Sequence, residues 1–498
     1  MTIFQVFFFT ILRISIDKRE KLHYNEENVY AENKSSFLKE YVMKCVYTPN
    51  DFKHLASDAA MIQAAVDAAA EASVSVVIPR FNERTEKPLW EIDQSIILHT
   101  GSDVQLDNCH IRLADDTFIH FFSNDAAYGK YWRADERQYD ITLAGRGNVL
   151  LDGGNHNGIF EKDFTIYDEN GNFVGRANPR GIANISVNRG INFRNVERIA
   201  VSGLRFINQR YWAMNFEFCA EGHLFDITFD APANVPNQDG IDIRTGCHNF
   251  LIENIFGRTG DDTVALTNFG PPRGQLTEEE LAACDPDIHD IIIKNIRGYL
   301  TDECDIIRIL NRGGFKVYNV QIANVMDITP HGQRGRALAA IRIGDICDYQ
   351  FRLGKVGETR NITVRDVLTH SRFGMYIADT LADSVFENIQ LTDGAGVGIY
   401  FNGCTLRNVY IDKFMYNGEA VAREDDIGYE EKFHRVKIDA INTFHFNNCT
   451  AENLNVSNVI SGKGHAYVFG GNSPVKIKVS NVVVSDENTK LTEAPVLL

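Results

Sequence analysis

The 498-residue chain lacks any excess of positive charge: 50 lysines and arginines stand against 67 acids, a formal net charge of −17. That balance argues against a polyanion such as nucleic acid as the main partner. CxxC spacing is missing too. The nine cysteines (Cys45, Cys109, Cys219, Cys247, Cys284, Cys304, Cys347, Cys404 and Cys449) are odd in number and dispersed. They read as buried thiols of a reducing compartment, not as a disulfide frame or a zinc site. The apolar run within Met1–Ile16 is too short to span a bilayer. It also has no basic n-region and no small-x-small site before Asp17-Lys18-Arg19. Residues 1–42 are therefore read as an extension, and the domain starts near Met43-Lys44. The expected setting is cytoplasmic, with secretion as the alternative and no membrane partner.

Helical periodicity is scarce. In one stretch Ala60, Ile62, Ala65, Val66 and Ala69 share a helical face, with Asp58 available as N-cap. A strand over 74–79 follows, and after about residue 90 the helical period nearly vanishes. At 44% hydrophobic and 23% charged residues the chain can still build a core. Length alone suggests about three domains, but long β-architectures can run as one.

What replaces the helical period is a weak repeat: a short β-branched run, an Asn or Asp, a second apolar run, then a polar turn. The recurrent polar residue falls at Asp226, Asn254, Asn295, Asn324, Asp366 and Asn388, with spacings of 28, 41, 29, 42 and 22 residues. These read as units of 22–29 residues, twice interrupted by insertions at 268–287 and 327–358. Such units cannot bury their apolar faces alone, so coils must stack about 4.8 Å apart with each strand paired above and below. The prediction is an all-β parallel solenoid: residues 43–498 form one domain, a helix near 58–72 caps the open end, and the recurrent Asn residues ladder at the turns. An antiparallel sandwich is the alternative, but Asn-Gly hairpin signals do not punctuate every repeat.

Two strand starts are unusually acidic: Asn237-Gln238-Asp239-Gly240-Ile241-Asp242-Ile243 and Gly260-Asp261-Asp262-Thr263-Val264-Ala265-Leu266. Aligning the inward pairs Ile241/Ile243 and Val264/Leu266 stacks Asp239 on Asp262 in adjacent coils, with Asp261 beside them. Crowded carboxylates cannot all ionise, so at least one keeps a raised pKa. A proton-bearing acid beside ionised carboxylates suits hydrolysis of a glycosidic bond. A calcium site or a solvated acidic turn is the bland alternative.

These two motifs resemble the paired Asn-x-Asp and Gly-Asp-Asp motifs of glycoside hydrolase family 28, the polygalacturonases and their relatives. LAGRGNVLLDGG (143–154) and NFRNVERIAVSGLRFINQRYWAMNFEFC (192–219) resemble its preceding coils, so the likeness covers roughly 58–400. It implies a right-handed parallel β-helix and an inverting hydrolase with no metal or other cofactor. It further implies Asp261 as general acid, Asp239 and Asp262 as the pair that activates water, and Asn237 as a neighbouring binding residue. The two carboxyl sets are expected about 6.5–9.5 Å apart.

Two departures stand out. Where the family has Gly-His-Gly this chain has Cys304-Asp305-Ile306, with Asp305 in the histidine's place; His331-Gly332 falls in an insertion and reads as a chance dipeptide. The family's Arg-Ile-Lys becomes Arg342-Ile343-Gly344, which puts a polygalacturonan substrate in doubt. Arg244, Arg308 and Arg342 share the groove face by alternation and match a uronate carboxylate, or else pair with Asp242 and Asp305. Trp212, with Tyr211, is a candidate platform for a sugar ring, or packs within its coil. The carbohydrate-hydrolase reading competes with a lyase on the same helix and with a non-catalytic carbohydrate-binding solenoid. Oligomeric state is not readable from the chain.

Overall fold

In the computed structural model the chain winds through short strands that return to the same position coil after coil. The structure describes residues 45–155, 157, 165–167, 169–170, 173–176, 189–232, 237–271, 276–300, 304–312, 314–330, 337–344, 354–421 and 440–498. The expected extension and His331-Gly332 lie outside these residues. Residues 46–498 form one compact unit.

Two large sheets, of 18 and 13 strands among the described residues, carry the fold, and their ladders are parallel. This is the all-β, right-handed parallel β-helix expected. The inward residues repeat in register: Ile241 pairs with Val264, Val264 with Ile307, and Ile307 with Ile341. Each is fully buried, so every coil closes its core on its neighbours.

The strands of the larger sheet are long, up to Ile288–Leu300, because each is bent rather than ended at its asparagine. Asp226, Asn254, Asn295, Asn324, Asp366 and Asn388 all have φ between 55° and 59°. This left-handed region penalises most side chains, and Asn and Asp tolerate it best among residues with a Cβ. The expected ladder forms: Asn254 donates to Asp226 (2.9 Å), Asn295 to Asn254 (3.0 Å), Asn324 to Asn295 (2.8 Å) and Asn388 to Asp366 (2.6 Å). A second ladder, not anticipated from the repeat, runs through Asp290, Asn319 and Asn361, also at positive φ.

The capping helix spans Asp58–Ala72, but Ser57 is its N-cap, accepting from the Ala60 N–H at 3.2 Å. Asp58 is instead the first helical residue. It is buried and accepts from Asn82, Arg84 and the Glu91 N–H. Met61, Ile62, Ala65, Val66 and Ala69 join the core of the first coils, whereas Ala60 is half-buried. The insertion at 268–287 contains a short helix, Glu278–Ala283, closed by a Thr277–Glu280 capping box.

Candidate active site

The smaller sheet carries the acidic motifs. Its strands Met214–Glu217, Ile241–Arg244, Val264–Asn268, Ile307–Asn311 and Ala339–Ile343 pair in that order. Because Ile241 pairs with Val264 and Val264 with Ile307, the preceding residues Asp239, Asp262 and Asp305 occupy one position of three successive coils. One oxygen each of Asp239, Asp261 and Asp262 lies within 4.8 Å of the others. The stacking expected from the motif alignment therefore forms, and the carboxyls are closer than the 6.5–9.5 Å expected for separate acid and base sets.

Asp262 is the best anchored of the three. It accepts from the Asp305 N–H at 2.9 Å and lies 3.4 Å from Arg308. Asp261 accepts from the Asp262 N–H at 3.0 Å and from Asn237 at 3.5 Å. Asp239 is buried, and its Oδ1 has no hydrogen-bond partner. Burial raises the Asp239 carboxyl well above the usual range, reinforced by the charges of Asp261, Asp242 and Asp262. Burial and the Asp262 charge push Asp261 up to about 6, with the Cys304 side chain and Arg308 opposing. The three oxygens are of a type that binds hard cations, but a calcium ion takes six to eight such ligands. Here Arg308 already supplies positive charge, and burial favours protons on Asp239 and Asp261.

A fourth carboxyl, Asp242, was missed as a site residue. It is buried with Oδ2 unpartnered, and no ion pair joins it to Arg244. Burial pushes it up to about 8 against the Arg244 and Arg189 guanidiniums, and Asp262 and Asp261 add to the rise. Its sequence signal was the Asp-x-x-Asp spacing within one motif. The linkage sign follows from a raised folded pKa. Between an unfolded value near 3.9 and the folded value of about 8, the folded state holds a proton that the unfolded chain has released. The stability this gives is complete below about pH 3.9 and is lost as pH rises through 8. Asp242→Asn should therefore raise the melting temperature relative to wild type by a margin that grows from pH 4 to 8 and then levels. A margin constant across that range in scanning calorimetry would contradict this account.

The arginines divide. Arg308 and Arg342 pair in register on successive strands, but Arg308 is held by Asp262, and Arg342 lies 3.4 Å from Asp305 at 1% exposure. Arg244 is on the same face. Trp212 stacks on Tyr211 at 4.9 Å and has the guanidiniums of Arg189 and Arg244 at 4.6 and 4.8 Å. Three of the protein's own groups thus crowd this half-buried ring. A 550 Å³ cavity lined by Trp132, Arg133, Thr277, Glu280 and Cys284 shares no residue with the acids, so the chemistry is assigned to the sheet face.

Fold and acids together define a parallel β-helix with a cluster of carboxyls on one sheet face. Residues 94–270 match the family model of glycosyl hydrolases family 28, which bears out the motif resemblance over the stretch holding all three acids. Polygalacturonase QRT2 of Arabidopsis thaliana is 30% identical over 78 residues, 16% of this chain and 18% of that protein. The match thus spans less than a fifth of that relative. An exopolygalacturonase from Thermotoga maritima aligns over 91% of both chains at 14% identity with a TM-score of 0.43. A tailspike protein mutant of E. coli bacteriophage HK620 aligns over 91% of this chain and 80% of its own at 12% identity, with a TM-score of 0.51. At that identity the tailspike likeness speaks for the fold alone. Asp305 and Gly344, where the chain departs from the family motifs, lie beyond the end of the family match.

Proposed function

We infer that the protein is a glycoside hydrolase that cuts a pectic or related glycan by direct displacement with water. The observation that carries this is the close group of buried Asp239 and Asp262 with half-buried Asp261, which share protons rather than ionise together. Asp261, with its carboxyl near 6, gives a proton to the leaving oxygen. Asp239 and Asp262 orient the water, and Asp262, paired with Arg308 and accepting from the Asp305 N–H, takes its proton. The spacing is shorter than that common to inverting sites, so inversion rests on the family resemblance and not on geometry. The dispersed cysteines support a cytoplasmic enzyme acting on imported oligosaccharides.

Unsubstituted polygalacturonan is expected to be a poor substrate. Arg342 is paired with Asp305 and a glycine stands where the family has lysine. A side chain could not simply be restored at Gly344: its φ is +87°, and a Cβ would overlap Asp379 and the Ala378 backbone. Digestion of a glycan panel, with the anomeric form of the first product read by NMR, tests the reading. Inverted product from a substituted or mixed glycan is expected. Rapid turnover of polygalacturonan, or retained configuration, would refute the substrate or the mechanism respectively.

A further inference from the structure

Asp261 lies between two neighbours that hold its own position in the coils before and after it. Because Ile241, Val264, Ile307 and Ile341 pair in succession, the residues three earlier share one position of four coils: Gln238, Asp261, Cys304 and Leu338. Backbone bonds keep this stack in register. The Gly260 N–H donates to the Gln238 carbonyl at 3.1 Å, and the Leu338 N–H to the Cys304 carbonyl at 2.8 Å. Strands paired in this way lie about 4.8 Å apart, close enough for side chains at one position to touch. Gln238 gives its amide to the Gln209 carbonyl. Cys304 instead hydrogen-bonds Asp261 through its side chain. It is half-buried and packs against the core, so it meets the acid from a fixed wall.

A carboxylate only accepts hydrogen bonds, so toward ionised Asp261 the S–H is the donor. The other donors to Asp261 are the Asp262 N–H at 3.0 Å and the Asn237 amide at 3.5 Å, the latter at the limit of a hydrogen bond. The charged and titratable groups that face it are Asp262 beside it, Asp239 and Asp242 from the coil before, and Arg308 and Cys304 from the coil after. Burial and then the Asp262 charge raise the Asp261 carboxyl to about 6, and the Cys304 bond opposes this rise more than Arg308 does. A hydrogen bond to a carboxyl strengthens as negative charge develops on it. The Cys304 bond is therefore worth more once Asp261 has given up its proton than before, and an interaction of that kind favours the transition state over the bound substrate. A thiol also donates without bringing a further charge among the acids.

We propose that Cys304 is a positioning residue for the general acid: its S–H, donated from the next coil, fixes the orientation of the Asp261 carboxyl and stabilises the carboxylate that remains when the proton passes to the leaving oxygen. In that step the O–H bond of Asp261 breaks and an O–H bond forms on the glycosidic oxygen, which keeps the electron pair of the broken C–O bond. Cys304 keeps its own proton throughout. This rests on the glycoside hydrolase reading and adds to it a residue outside the three acids.

Two measurements on the full chain test it, and the first needs no substrate. Iodoacetamide labelling near pH 8, read by mass spectrometry of the Cys304 peptide, compares the native protein with Asp261→Asn. A neighbouring carboxylate disfavours the thiolate, the form that is alkylated, so its removal should speed labelling of Cys304 about three- to tenfold. Half-buried Cys284, on another element, serves as the internal standard. Equal Cys304 rates in the two proteins overturn the proposal, whatever the enzyme hydrolyses. The second measurement is the pH profile of kcat/KM, whose midpoint does not depend on how much of a variant is folded. Cys304→Ala removes the donor, so the fall near pH 6 should move up by about half to one unit, and kcat should drop about three- to tenfold with KM little changed. Cys304→Ser supplies a stronger donor and should move the fall downward. Both variants shorten the side chain, so a packing role cannot separate them in sign; shifts of one sign, or no shift, overturn the proposal. Coupled labelling in a protein that hydrolyses no glycan removes the hydrolase reading and the catalytic role with it, leaving only the contact. Uncoupled labelling in an active hydrolase removes the Cys304 role and leaves that reading standing.

Discussion

Asp261→Asn should lower kcat at least about 10²-fold, the usual contribution of a positioned general acid, with little change in substrate binding. Asn keeps the shape of the side chain and can still hydrogen-bond Asn237 and the Asp262 N–H, the partners of Asp261 in the native site. What it cannot do is release a proton. Asp239→Asn and Asp262→Asn should cost a comparable amount. Pairs of these substitutions should cost little more than either alone, because one water and one proton pass through a single unit. The pH profile gives a second handle. An acid whose carboxyl sits near 6 is depleted above that value, so kcat/KM should fall as pH rises through 6. Steady-state rates on the substrate found by the glycan panel check both. Near-native kcat in Asp261→Asn would remove it from the mechanism.

Why the acids could be located from the chain alone is a matter of register. Parallel coils stack inward pairs on inward pairs, so Ile241/Ile243 and Val264/Leu266 determine where Asp239 and Asp262 meet. The ladder of Asn254, Asn295 and Asn324 was legible for a different reason: a left-handed bend admits few residue types, so the same letters recur. The second ladder, through Asp290, Asn319 and Asn361, lies five residues before the first (Asn319 against Asn324, for example) and was hidden by the less regular sequence around it. Helix start was misplaced by one residue because Ser57 and Asp58 are both good caps. Only the buried contacts of Asp58 with Asn82 and Glu91 separate them.

Less of the arginine arrangement was legible. Sequence alternation placed Arg244, Arg308 and Arg342 on one face, and all three lie there. Their partners depend on distances no periodicity encodes. Asp305 reaches Arg342 across 37 residues, on the strand Ala339–Ile343 that lies inside the stretch 327–358 read as an insertion, and Phe269, which lies against Arg244, stands just past the end of a strand. Charge and spacing alone made the three equivalent, whereas burial and pairing leave Arg244 as the one without an anionic partner on this face among the described residues.

The pairing of Asp305 with Arg342 predicts the largest effect on stability. Both side chains are 1% exposed and lie 3.4 Å apart. Asp305 also accepts from the Ala339 N–H at 3.1 Å, and Arg342 donates to the Gly344 carbonyl at 3.3 Å and lies over the Tyr376 ring. Removing one partner leaves a buried charge without its counterion, a loss of about 3–5 kcal/mol. Removing both in a way that preserves volume and hydrogen bonding costs much less, because the desolvation penalty disappears with the charges. Arg342→Met alone should therefore destabilise strongly in denaturant unfolding, and Asp305→Asn combined with Arg342→Met should recover most of the loss. The coupling measured by this cycle is the quantity of interest, since it cancels packing effects common to single and double variants. If Arg342 bound substrate instead, Arg342→Met would raise KM at nearly native stability. A loss of stability without a matching rise in KM would identify the pair as the brace that holds the strand after Asp305 in register.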